Sequence, residues 1–261
     1  MKKTIYLLFG LLIFIGCEKP KETNLTFNIT HTVENVSLVI GTGCGNGGEC
    51  LPDHSCCMGG DLVPYTNAAG QKYNVQKLEY IISNIQLHSE SEILLLKDMH
   101  HVNLSDPSSL FFTYEDIPNN RYTSISFQMG LDSSKNIIEN YINDPIYTSM
   151  EWPEMIINNT LYPGGYHYMK IEGDFDTITK GYATHTGPTM GTDYSFTYTK
   201  NINLLVDDEL GDINGYMNME MNNWYNNPNI INIESGIMMN SMIQNQLKEN
   251  GENDVFSIEI E

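Results

Sequence analysis

The chain has 261 residues, 18% of them charged, and a formal net charge of −20. A surface that acidic excludes nucleic acid and anionic lipid as binding partners. The length suits one large domain or two small ones, and no apolar run reaches the 18 residues of a membrane span.

The N-terminus reads as a leader. Lys2 and Lys3 precede an apolar run from Ile5 to Ile15, which ends in Phe14-Ile15-Gly16-Cys17. That ending resembles a lipobox. Cleavage after Gly16 would leave Cys17 to carry diacylglycerol and palmitate, and the mature charge would become −22 with Lys2 and Lys3 removed. Residues 1–16 are therefore assigned as signal peptide, 17–24 as lipidated cysteine and tether, and 25–261 as the folded domain. Each buried CH₂ of the acyl chains adds roughly 0.8 kcal/mol of membrane affinity. The expected location is the cell envelope: an outer membrane anchor, with the domain periplasmic or on the surface.

Leu25 to Val33 alternates strictly, as a half-buried strand does, and puts His31 on the inward face. Residues 41–60 form a Gly- and Cys-rich loop. Its Cys44, Cys50, Cys56 and Cys57 suit two disulfides in an oxidising compartment. The alternative is a second soft-metal site shared with His54 and Met58. Tyr73 to Leu87 reads as strand, turn and strand, followed by an exposed His88. Ile93–Leu96 and Val102–Leu104 read as short strands, and Tyr122–Leu131 as a longer one. Pro145, Pro153 and Pro163 keep 135–164 irregular. Further strands are expected at Tyr166–Ile171, Gly181–His185, Ser195–Val206, Ile213–Met221 and Val255–Ile260. A helix is expected at Ser235–Glu249, with Ser235 as N-cap, Gly251 past its end, and an apolar face of Met238, Met239, Met242, Ile243 and Leu247. These elements predict an all-β fold, a β-sandwich of antiparallel strands with a short C-terminal helix.

The chemistry-bearing residues are histidines. Adjacent His100 and His101 must face opposite sides of a strand. His167 shares a face with Met169 and Ile171, and His185 lies at the mouth of Thr186-Gly187-Pro188. Several imidazoles on inward faces are costly without partners, and imidazole is the commonest metal ligand. Separate hydrogen bonding in the core is the plain alternative. Met217, Met219 and Met221 share a strand face, as a Cu(I) stripe or as core filler. There is no G-x-S-x-G, H-E-x-x-H or phosphate loop.

Several blocks, in order, resemble the MbnP-like copper-binding proteins. They are Tyr65 to Leu87, His100-His101-Val102-Asn103, Phe127 to Asp132, Met150-Glu151-Trp152-Pro153, Gly164 to Gly173, His185-Thr186-Gly187-Pro188 and Trp224 to Pro228. The resemblance implies an exported β-sandwich that binds copper through histidines, beside a tryptophan that some members oxidise to kynurenine. His100 matches the histidine of the family's Val-Asp block, His185 that of the Thr-Gly turn, and His167 and His31 histidines found in some members. His100, His167 and His185 are the expected ligands, with His31 and His101 in reserve, and His31, His100, His167 and His185 are expected to converge. Trp152 falls where the family has its Met-x-Trp tryptophan, with Met150 beside it. The chain departs from the family in lacking a second tryptophan, in an insertion at about Met155 to Pro163, and in Asn103 for aspartate. These weigh against kynurenine and for a plain core or rim tryptophan.

The expectation is a non-enzymatic lipoprotein that captures, stores or transfers copper. Its partners would be the copper ion, the membrane through its lipid, and a copper-delivering or haem protein. The competing expectation is a metal-free surface module that binds protein or glycan, and a weaker one is a copper redox enzyme.

Overall fold

A computed structural model describes residues 23–41, 64–207, 209–233 and 236–261. The leader, Cys17, Cys44, Cys50, His54, Cys56, Cys57 and Met58 lie outside these residues, and so does Ser235.

The strands, in chain order, are β1 (Leu25–Val33), β2 (Val36–Ser37), β3 (Tyr65–Thr66), β4 (Lys72–Tyr73), β5 (Lys77–Ser89), β6 (Ile93–Asn103), β7 (Phe111–Tyr114) and β8 (Asn120–Met129). A one-turn helix, α1 (Ile146–Ser149), leads into β9 (Glu151–Trp152), β10 (Met155–Ile157), β11 (Thr160–Tyr162) and β12 (Gly165–Tyr166). The chain continues through β13 (Met169–Phe175), β14 (Thr177–Thr186), β15 (Phe196–Val206), β16 (Ile213–Glu220), helix α2 (Ser241–Asn253) and β17 (Phe256–Ile260).

Five strands make one sheet, in the order β17-β16-β1-β2 with β7 also on β1. Eight make a second, in the order β15-β8-β5-β13-β4-β3, with β14 on β13 and β6 on β5, and β9 with β12 and β10 with β11 form two small two-stranded sheets. Pairing is antiparallel except between β1 and β16, which run parallel. The main core lies between the sheets and contains Phe27, Ile29, Tyr80, Ile82, Phe127, Met169 and Ile171. Each such side chain contributes about 1.5–3 kcal/mol by leaving water. Met217, Met219 and Met221 are all in this core, so the methionine stripe is packing. Trp224 is likewise buried, against Phe196 and Phe256.

Four expectations need correction. β5 is one strand of 13 residues, not two around a turn. Its polar Ser83 and Asn84 are satisfied in place, Ser83 Oγ by the Gly130 carbonyl at 2.7 Å and Asn84 Nδ2 by Gln128 at 3.2 Å. His88 therefore lies inside the strand, half-buried, and bonds Ser126 Oγ at 2.6 Å. Likewise β6 runs unbroken from Ile93 to Asn103. The helix starts later than expected. Asn240 is the N-cap, its side chain accepting from the Met242 and Ile243 amides. Met238 and Met239 are in the preceding turn, and Met242 is exposed. Gly251 lies within the helix, where any Cβ would meet the Phe196 ring, with Cε1 at 2.8 Å.

A second, smaller cluster covers the other face of the large sheet. Ile81 of β5 packs there with Leu131, Ile146, Met150 and Tyr166. The cover is the segment from 132 to 168, and it brings Trp152 onto the sheet. The proposed insertion at 155–163 is the β10–β11 hairpin, turned by Asn158 and Asn159 with φ of 50° and 63°. Because the hairpin leaves and returns at one place, β9 still pairs with β12, Trp152 opposite Gly165.

Candidate metal centre

The pleat of the large sheet sorts the histidines. Lys170 pairs with His185 on one side and with Glu79 on the other, so these three side chains share the outer face. His101 is opposite Ile81 and shares that face, whereas His100 is opposite Ile82 and faces the main core. His167 lies in the short break between β12 and β13, where its amide bonds the Met150 carbonyl at 2.6 Å.

His167 and His185 are brought together. Their ring centroids are 4.9 Å apart and nearly perpendicular. Trp152, fully buried, packs on His167 with centroids 4.8 Å apart. The expected convergence of His31 and His100 on this pair does not occur. His31 faces the inter-sheet core and shares a hydrogen bond from Nε2 to Tyr80 Oη at 3.0 Å. His100 packs against Phe112 with its ring tilted by 55°, and its Nε2 donates to the Ser109 carbonyl at 2.8 Å. Consecutive strand residues point oppositely, so a histidine one position away from the outer face is lost to the core. His101 has the right face but sits three strands from His185, about 14 Å at ordinary strand spacing.

Each imidazole of the pair has one nitrogen committed. His167 Nδ1 donates to the Met150 carbonyl at 3.2 Å, leaving Nε2 buried with no hydrogen-bond partner among the described residues. His185 Nε2 bonds Glu172 Oε1 at 2.9 Å, so its free lone pair is on Nδ1. A ring nitrogen tied to a carbonyl or carboxylate fixes the tautomer and presents the other nitrogen to a metal. Burial pushes the His167 pKa down to about 3, with the neighbouring His185 adding to it and the Met150 carbonyl opposing it. The ring is thus neutral in the folded chain above that pH. Met150 participates through its backbone oxygen, and its side chain belongs to the small cluster.

Two supports were missed in the sequence. Glu172 stands among Lys170 and Lys77, with the Lys170 Nζ at 3.9 Å. The His185 hydrogen bond, outweighing burial, holds its carboxyl below the usual range. Gln244 of α2 is buried. Its Nε2 donates to the His185 carbonyl at 2.7 Å and to the Ile237 carbonyl at 3.2 Å, and its Oε1 accepts from the Gly187 amide at 3.3 Å. The apolar periodicity of the helix gave no sign of this residue, because a buried glutamine breaks that pattern. Gly187 itself is fixed by Trp152. A Cβ there would lie 2.6 Å from Cζ3 and closer still to Cε3 of the indole.

Among the described residues no three His, Cys, Asp or Glu side chains come close enough to form a metal cluster. The pair therefore offers two nitrogens, an arrangement that a soft ion of low coordination number accepts and that octahedral cations do not. The orphaned Nε2 of a buried, neutral imidazole fits such an ion.

The MbnP family model matches residues 22–240. The solved structure of MbnP from Methylosinus trichosporium is similar, at 8% identity and a TM-score of 0.49, over 92% of this chain and 99% of that one. No curated protein matches.

Proposed function

The chain belongs to the MbnP family, and from that premise we propose that it is a non-enzymatic, extracytoplasmic copper-binding lipoprotein that captures, stores or hands on copper through His167 and His185. The observation that carries this reading is the orphaned Nε2 of His167 beside a second imidazole already oriented by Glu172. A buried polar atom without a partner costs roughly 1–3 kcal/mol, and a metal bond offsets that cost. Imidazole suits copper well.

Trp152 supports the reading without needing to be oxidised. As an intact indole it covers His167 and keeps bulk water from the pair. The hairpin at 155–162 does not weigh against its place in the site, since β9 and β12 pair across the base of that hairpin. Entry is from the His185 side, the more exposed of the two rings. The lipid on Cys17 would hold this acidic domain at the membrane, where its charge concentrates cations. A copper-delivering or haem protein is the partner this role calls for.

The test is copper content after expression in copper-supplemented medium. Wild type should hold about one more copper per chain than H167A or H185A. Equal content in all three sinks the assignment of the site.

A further inference from the structure

Across the large sheet from the histidine pair lies a second set of orphaned polar atoms. Glu79 of β5 is 5% exposed, and its Oε2 has no hydrogen-bond partner among the described residues. The same holds for His101 Nε2, which is 3.6 Å from that oxygen, beyond hydrogen-bond reach. His101 lines a surface depression with Asn103, Asp106, Asp144 and Ser149, and Ser149 Oγ is a third buried atom without a partner.

An ion pair alone explains this poorly, because a buried carboxylate and imidazolium gain most at about 2.8 Å. Two donors bound at about 2.1 Å to one tetrahedral ion lie about 3.4 Å apart, close to the spacing seen. Lys77 Nζ is 3.4 Å from Oε1, the other carboxylate oxygen, so it leaves Oε2 clear. Burial pushes the Glu79 carboxyl up, but His101 and Lys77 overcome this and hold it below the ordinary carboxylate range. The group is therefore ionised and available.

We propose that Glu79 and His101 form a second cation site, separate from the histidine pair, that takes a divalent transition ion of the zinc class. One carboxylate oxygen and one imidazole nitrogen are its protein donors. Water would fill the remaining positions from the depression that His101 lines together with Asp106 and Asp144. Lys170 lies between Glu79 and His185 in the same cross-strand row, and the site shares no donor with the histidine pair, so it does not depend on the copper reading.

The experiment is calorimetric titration of the metal-free full chain with zinc chloride alone. It is done in an H185A background, which keeps the copper pair from contributing. H185A should bind zinc, and both H185A/E79Q and H185A/H101N should bind it at least tenfold more weakly, with unchanged circular dichroism. If E79Q does not fold, H101N decides, since His101 is partly exposed and Lys77 still faces the Glu79 carboxylate when the imidazole is gone. Equal zinc binding in the three chains, or none in any, overturns the proposal and leaves Glu79 and His101 as an ion pair only. Neither result touches the copper assignment, which the H167A and H185A copper contents decide.

Discussion

Replacing Gly187 by alanine tests how the site is built. The glycine follows His185 by two residues, and the Trp152 indole rests on its Cα. A Cβ would sit 2.6 Å from Cζ3 and 3.0 Å from Cδ2, well inside van der Waals contact. The φ of Gly187 is not positive, so the strain is one of space and not of backbone. The indole is fully buried and cannot swing out, so it must shift as a unit. Overpacking of this kind costs about 1–3 kcal/mol, a sizeable part of a typical stability of 5–15 kcal/mol. Urea unfolding should show a midpoint lower by roughly 0.5–1 M. Copper affinity should fall as well, because the indole holds the His167 ring and a metal site tolerates displacements of only about 0.5 Å. Gly181→Ala is the control. It lies on β14, which ends one residue before Gly187, and its new Cβ would find its nearest neighbour at 3.8 Å. If G187A behaves like G181A in both assays, Trp152 does not pack as described.

Glu172→Gln should weaken copper binding about 10- to 100-fold while the fold survives, since a carboxylate that orients a ligand is replaced by a neutral amide; a competition titration reads this, and an unchanged affinity contradicts the role of Glu172. Replacing the whole β10–β11 hairpin, Met155 to Tyr162, by a two-residue turn should leave copper stoichiometry unchanged, measured by elemental analysis, whereas loss of copper would place the hairpin in the site. Stability should fall in acid. Burial lowers the pKa of His31 to about 4, of His100 to about 4 and of His167 to about 3, so between these values and 6.5 the unfolded chain binds more protons and stability is lost as pH falls. For His31 alone the loss by pH 4 is about 3 kcal/mol, and equal urea midpoints at pH 7 and pH 4.5 would contradict it. Gly251→Ala should destabilise the chain by about 1–3 kcal/mol through the Phe196 and Trp224 rings, read by thermal unfolding.

The strict alternation of Leu25 to Val33 announced β1 and the inward side of His31, because the period-2 pattern and the pleat are the same fact. The methionine face of β16 was legible for the same reason, although its meaning was not, since thioethers pack a core and hold metal equally well. Which histidines meet could not be read along the chain. His167 lies in a break between strands, where no pleat assigns its direction, and His185 meets it only because the 132–168 segment folds over the outer face. The two faces of the large sheet also look alike in sequence. Ile81 and Ile82 are both buried, one under each cover. Glu172 and Gln244 gave no signal because their partners are a histidine 13 residues away and a backbone carbonyl 59 residues away.

X-ray absorption at the copper edge of the loaded full-length chain tests the central claim most directly. A copper held by His167 and His185 should show imidazole nitrogen at about 2.0 Å, and the signal should disappear from the H167A/H185A double variant. Sulfur at about 2.3 Å, unchanged in the double variant, would place the copper elsewhere and contradict the account.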